Sequence, residues 1–277
     1  MNLIKINILA LVVIASISSS CKEDEPAIIC PVEGVIVEGG NLGYYQYTFD
    51  ENGTGNLSNV LVSSDTSFYN LQYTYTNNVL SRIKHIEGTG TTAVQTKYYD
   101  VVFNGTEIDK FTEYTITDPI TNTAVLTNES RFVYSNGTLV EFQSYMPNST
   151  GTFFKIGHLA LSVTSGNITK KETHIDLASV FSLLFGQDPA SYAPVLASTE
   201  DMEHEGTPNP LNGNLIPFNI MLGMNTNNIT SHTVIDINGV SSTNTYTYNY
   251  DNGNGRLLFG TNTNGQQTTV LYTNCVN

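Results

Sequence analysis

The sequence predicts an all-β protein: a long antiparallel meander of repeated hairpins, curved or barrel-like, with one amphipathic helix at about 176–186 packed on its inner face. Three observations predict it. Aromatic and β-branched residues alternate with polar ones at period two, as strands with one covered and one wet face do. The alternating stretches are joined by pairs such as Asn136-Gly137 and Asn238-Gly239, which tolerate the positive φ of a type I′ hairpin turn. The turn glycine or its equivalent recurs at positions 53, 78, 105, 137 and 166, a spacing that fits two strands and two turns per repeat.

The unit is cleanest at Phe132–Phe142, where a strand runs into Asn136-Gly137 and another runs out. Tyr44–Phe49 is the first clear strand, with Tyr45, Tyr47 and Phe49 on one face, and Leu57–Val62 returns from the turn at Asp50–Gly55. Phe68–Thr76 keeps Tyr69, Leu71, Tyr73 and Tyr75 in register, and Val79–Ile86 returns from Asn77-Asn78. Three further pairs repeat the scheme: Lys97–Phe103 with Glu107–Ile116, Ala124–Tyr134 with Leu139–Tyr145, and Phe153–Thr164 with Ile168–His174.

The pattern breaks at Asp176–Gly186. Leu177, Val180, Phe181, Leu184 and Phe185 recur at helical spacing, Asp176 suits the N-cap, and Gly186 with Asp188-Pro189 supplies a stop. The stripe needs an apolar partner, and the concave side of a sheet offers one; Val180, Phe181, Leu184 and Phe185 are therefore the candidate ligand-facing or core-facing residues. Ala190–Ile220 reads as irregular, with Pro194, Pro208, Pro210 and Pro217. Hairpins resume with Asn228–Ile237, Ser242–Tyr250, Arg256–Phe259 and Thr268–Tyr272, and the loop around Gly253 echoes the one around Gly53.

The chain of 277 residues is 40% hydrophobic and 10% aromatic, with 16 tyrosines, which is enough for a sizeable core. Only 13% of its residues are charged, so Asn, Thr, Ser and Gly must wet most of the surface. The formal net charge of −14, without Lys/Arg clusters, excludes a nucleic-acid partner, because phosphate binding requires concentrated positive charge.

Lys5, the apolar run Ile8–Ala15 and the small residues Ser18-Ser19-Ser20 form a targeting segment too short to span a bilayer as a helix. With Cys21 directly after it, the segment resembles a bacterial lipoprotein signal, which implies a lipid-modified Cys21 and a membrane anchor. It departs from that pattern at Ser18, where leucine is usual, with Ile17 one position further out. Lys22-Glu23-Asp24-Glu25 resembles the export signal of Bacteroidetes surface lipoproteins, which implies the outer face of the outer membrane; a periplasm-facing anchor is the alternative. Cys30 and Cys275 remain as an even pair in an oxidising compartment. They form either a bridge between the first and last parts of the fold or two separate thiols. The organisation is thus a signal over residues 1–20, an acidic tether over 21–40, and one hairpin-repeat domain over 41–277 with a helix and Pro-rich insertion at about 175–227.

The recurring aromatic, Asp/Asn-Gly, Leu pattern, clearest at Tyr250-Asp251-Asn252-Gly253 with Arg256-Leu257, resembles YD/Rhs-type hairpin repeats. Together with Asn209-Pro210-Leu211, Asn227-Asn228-Ile229 and a cysteine near the C-terminus, it resembles uncharacterised lipoproteins of Bacteroidetes. The shared residues belong to strands and turns, so the resemblance implies an architecture and no catalytic residue.

No catalytic constellation is recognisable. The five histidines form no metal-ligand spacing, and no cofactor fingerprint or nucleophile elbow is present. Glu203-His204-Glu205 reads as a solvated acidic loop. Asp50-x-Asn52-x-Thr54-Gly55 resembles the opening of a calcium loop, but Leu61 stands where the closing Glu belongs. The expected role is a lipid-anchored, non-catalytic binding or scaffold protein of the cell envelope, with an unknown protein, glycan or lipid as ligand. A carrier of a hydrophobic ligand in a half-barrel closed by the helix is the alternative, and a glycan hydrolase the third reading. A transmembrane β-barrel shares the alternating strands; the Thr/Asn-rich strands, the helix and the lipid anchor weigh against it.

Overall fold

The computed structural model describes residues 32–39, 44–50, 56–64, 67–88, 90–179, 193–217, 223–251 and 256–272. Sixteen antiparallel strands follow one another as a meander, and the last pairs with the first to close a barrel. They are β1 (Val32–Gly39), β2 (Tyr44–Phe49), β3 (Leu57–Ser63), β4 (Phe68–Thr76), β5 (Val79–Glu87), β6 (Val94–Asn104), β7 (Glu107–Asp118) and β8 (Thr123–Ser135), then β9 (Thr138–Pro147), β10 (Phe153–Thr164), β11 (Asn167–Ile175), β12 (Val195–Pro208), β13 (Asn227–Asp236), β14 (Ser241–Tyr250), β15 (Leu257–Asn262) and β16 (Gln266–Tyr272). The barrel is one compact unit over Val32–Leu271; of the separate unit Met1–Pro31 with Tyr272–Asn277, only Tyr272 is among the described residues.

The hairpin unit has a structural signature. Asn136 and Gly137 have φ of 51° and 75°, and Asn77-Asn78 and Ser165-Gly166 show the same paired positive φ, so all three are tight turns of the twist that strands favour. Just inside each turn the register slips by one residue. Tyr75 faces Leu80 while Thr74 faces Arg82, so Ser81 is extra. Ser58, Asp109, Val140, Thr169 and Leu258 are extra in the same way in the equivalent hairpins. Where the extra residue carries a hydroxyl, that hydroxyl donates to the carbonyl across the slip: Ser58 to Thr48 at 3.1 Å, Ser81 to Thr74 at 3.0 Å, Thr169 to Ser162 at 3.2 Å. Such a bulge adds twist and puts residues three apart on one face. Leu57 with Val60, Leu80 with Ile83, and Leu139 with Phe142 are consequently all buried.

The two faces of the wall differ on β2–β9. The inward face of β2–β5 contributes Tyr47, Leu57, Val60, Leu71 and Ile83, each at most 2% exposed. Ion pairs mark the outward face: Arg82 with Asp100 at 2.6 Å, Glu129 between Lys110 at 2.9 Å and Arg131 at 2.6 Å, and Lys155 with Glu141 at 2.8 Å. Arg82 also lies over the Tyr98 ring at 4.4 Å, and Arg131 over Tyr145 at 4.2 Å. An exposed pair such as Arg82–Asp100 contributes little stability. Such pairs make the outer wall water-compatible.

The structure corrects several expectations. The tether ends before Val32, because Val32–Gly39 is strand β1, paired with β2 from Gly34↔Thr48 to Val37↔Tyr45. The stretch read as irregular from Ala190 contains the fourteen-residue strand β12. Pro194 precedes that strand and Pro208 ends it, so neither removes a ladder hydrogen bond from its middle. Glu203-His204-Glu205 is consequently part of a strand and not a loop. The amphipathic helix is not confirmed: the backbone is helical at 177–179, where the Ser179 N–H reaches Asp176 Oδ1 at 3.4 Å, and Val180, Phe181, Leu184 and Phe185 lie outside the described residues. Cys21, Cys30, Cys275 and most of the calcium-like loop lie outside them too.

Candidate functional site

A different segment occupies the lumen. Between β12 and β13 the chain turns inward, starting at Asn209-Pro210-Leu211, where Asn209 Oδ1 accepts from the Leu211 N–H at 3.0 Å. Leu215 and Ile216 are then buried at 2% and 0% exposure. Two buried asparagines fasten the segment. Asn214 Oδ1 accepts from the Leu57 N–H on β3 at 2.9 Å, and Asn225 Oδ1 accepts from the Ile168 N–H on β11 at 2.7 Å. Strands β3 and β11 are eight apart in either direction around the barrel, so a segment that reaches both crosses the lumen. The Tyr73 hydroxyl adds a bond to the Leu215 carbonyl at 2.9 Å. At the β11 side, the Thr226 and Asn227 N–H groups donate to Gly166 O and Asn167 Oδ1 at 3.1 and 2.8 Å. Residues 209–217 and 223–226 are therefore the described parts of a plug, and each asparagine accepts from an amide near the start of a strand.

A cavity lies on each side of the plug. The smaller, about 240 Å³, is lined from β4–β9 by an aromatic group including Tyr69, Tyr99, Phe111 and Phe142, together with Glu113 and Asn128, and touches the plug at Pro217. His85 stacks on Tyr69 at 4.4 Å and bonds Thr96 at 2.9 Å. The larger, about 570 Å³, is walled by β13–β16, β1 and β2, with Asn209, Pro210, Leu211 and Asn225 of the plug. That volume lies in the ordinary range for small-molecule sites, about 300–1,000 Å³.

Three features shape the larger cavity. Tyr45 and Tyr47 come from β2, and Tyr246 and Tyr248 from alternate positions of β14. The β14 pair stacks nearly parallel, 8° apart with centroids 6.5 Å apart. Tyr248 crosses Gly260 on the neighbouring strand and donates to the Ile229 carbonyl at 2.7 Å. A Cβ on Gly260 would stand 2.6 Å from Tyr248 Cδ1. Gly260→Ala is therefore expected to push the ring out of place and cost about 1–3 kcal/mol in urea unfolding; an unchanged midpoint would show that the ring is not held there.

His232 is the one histidine among the described residues that line the larger cavity, and it is held from behind. Its Nε2 meets Glu200 Oε2 at 2.9 Å, and Lys171 Nζ meets Glu200 Oε1 at 2.6 Å. Burial pushes the Glu200 carboxyl up, but the His232 hydrogen bond and the Lys171 ammonium outweigh it and hold the group below the usual carboxylate range. Glu129 and Glu141 follow the same logic, with burial opposed by Lys110 and Arg131 or by Lys155 and Gln143. Burial holds His85, His158 and His204 below 6.5.

These shifts predict the pH response. A histidine held neutral in the folded barrel takes up its proton more readily once unfolded, so stability falls as pH drops below 6.5. The depressed carboxylates contribute stability that is complete above 4.5 and is lost as pH falls through their folded values. The urea midpoint should therefore decline below 6.5 and again below 4.5. A midpoint that rises on acidification would contradict the assignment.

The sequence singled out none of Tyr246, Tyr248, Asn244 or His232 as site residues. The Thr-Tyr-Thr-Tyr-Asn-Tyr alternation of β14 was visible, but both its faces are uncharged, so the alternation alone does not say which face is wet.

No family model and no curated protein sequence matches the chain. Solved structures do. A porin-like protein from Bacteroides uniformis aligns with a TM-score of 0.51 at 11% identity, covering 90% of this chain and all of that one. A porin-like protein from Bacteroides vulgatus aligns at 9% identity and a TM-score of 0.38, over 89% of this chain and 100% of the other. A protein of unknown function from Bacteroides fragilis aligns at 8% and 0.34, over 64% and 92%. At these identities the likeness is one of fold, and the fold this chain shares is that of the Bacteroides uniformis porin-like barrel.

Proposed function

We propose that this chain is a lipid-anchored, non-catalytic binding protein of the bacterial cell envelope whose barrel stands in water and holds a small ligand in its lumen. One observation carries the reading: the barrel has ion pairs along its outer wall and a plugged, tyrosine-rich inside. A membrane-spanning barrel needs the reverse, an apolar outer band about 25 Å tall, and each Arg or Lys at the bilayer midplane costs about 2–4 kcal/mol. Arg82, Lys110, Arg131 and Lys155 all stand on the outer wall. The plug also obstructs the lumen, as a channel does not. The resemblance of the segment before Cys21 to a lipoprotein signal supports an anchored barrel. A ligand-holding role is supported by the larger cavity.

Cys21→Ala tests the reading in cells. The substituted protein should leave the membrane fraction and appear folded in the soluble fraction. If it stays with the membrane and resists carbonate extraction, the barrel itself inserts and the reading fails. Protease shaving of intact cells then separates outer-face from periplasm-facing anchoring, since only a surface protein is cleaved.

A further inference from the structure

We infer that the larger cavity binds a neutral oligosaccharide; the inference rests on the proposed ligand-holding role and names its ligand class. The first reason is charge. The described lining holds no Asp or Glu, its one histidine, His232, is already engaged by Glu200, and no Lys or Arg is present to meet a phosphate or carboxylate. The second is hydrogen-bonding capacity. Asn244, Asn262, Asn264, Gln266 and Thr268 line one wall; Asn262 is engaged by Asn264 and Gln266 within its turn, and the amides of Asn244 and Asn264 offer both donor and acceptor atoms, as a sugar hydroxyl does. Asn244 illustrates the reserve: its Oδ1 accepts from Thr263 at 3.3 Å, which leaves the NH₂ donors for a guest.

The third reason is shape. The parallel rings of Tyr246 and Tyr248 present flat apolar faces, and Tyr45 adds another from β2. Pyranose rings carry C–H groups on their faces and hydroxyls at their edges, which suits tyrosine faces and amide edges together. A hydrocarbon chain would satisfy the rings but strip water from the amides without replacing their hydrogen bonds, at a cost for each. The smaller cavity lacks this character, since it contains Glu113 paired with Lys97 at 3.3 Å.

The test is isothermal titration of the mature chain with maltohexaose, cellohexaose and mannohexaose, alongside oleate. At least one hexasaccharide is expected to bind. Tyr246→Ala and Asn244→Leu should each weaken that binding about tenfold or more, while Thr243→Ala on the outer face leaves it unchanged. Circular dichroism melting of each variant reports whether it folds, and competition by the sugar against chemical labelling of Asn262→Cys localises the site without truncating a core residue. No hexasaccharide binding at millimolar concentration, or binding that neither luminal substitution weakens in a folded variant, overturns the inference. Oleate binding without sugar binding also overturns it but leaves the ligand-holding role standing, whereas a chain that inserts into membranes removes both.

Discussion

Asn214→Leu combined with Asn225→Leu is expected to lower the free energy of unfolding by about 2–6 kcal/mol, the sum of about 1–3 kcal/mol for each buried amide left without a partner. The two asparagines fasten the plug at opposite sides of the barrel, to Leu57 on β3 and Ile168 on β11. The Gly213 N–H donates to the Gly223 carbonyl at 2.8 Å and joins the two fastening points, so the single variants are needed to read any coupling between them. Leucine has the same number of side-chain heavy atoms as asparagine, so the substitution opens no cavity. Urea unfolding of the single and double variants measures it, and amide exchange at Leu57 and Ile168 should accelerate selectively. If the double variant unfolds at the parental midpoint, the plug is not a structural part of the barrel.

Phe111→Ala is expected to cost about 3–5 kcal/mol. Phe111 is 6% exposed and central to a ring cluster, with Tyr99 at 5.9 Å edge-on and Phe132 and Phe142 each at 6.0 Å. Phe132 and Phe142 pack against each other at 5.1 Å across the hairpin of the Asn136-Gly137 turn. The β6–β9 wall has few other large apolar residues facing the lumen, so the cluster cannot close readily over the gap. The substitution also enlarges the smaller cavity, which Phe111 lines. A loss below about 1 kcal/mol would mean that this side of the barrel is loosely packed.

Much of the architecture is legible in the residues, because hairpins are local. Asn-Gly and Asn-Asn turns, followed by leucine, mark where strands reverse, and these positions agree with the structure. The bulges are harder to read. Leu80 and Ile83 are three apart, a spacing that suggests a helix unless Ser81 is recognised as an extra residue. Strand β12 stays hidden for an electrostatic reason. Its Glu200 faces inward and is neutralised by Lys171 and His232 on the flanking strands, so the apolar alternation that reveals other strands is missing. The plug is the least legible part. Its fastening residues are asparagines in a stretch without periodicity, and their value lies entirely in partners 57 and 157 residues away in the chain. A sequence pattern carries local propensity and face polarity, and neither encodes which loop folds into a lumen.

The central claim is that the barrel wall faces water. The most direct measurement is detergent-free purification of the chain lacking its first 21 residues, followed by light scattering and planar-bilayer recording of the same sample. A barrel with Arg82–Asp100 and Lys110–Glu129–Arg131 on its outside should be soluble without detergent and give no ion conductance. Extraction that requires detergent, with stable conductance steps on addition to a bilayer, would contradict the account.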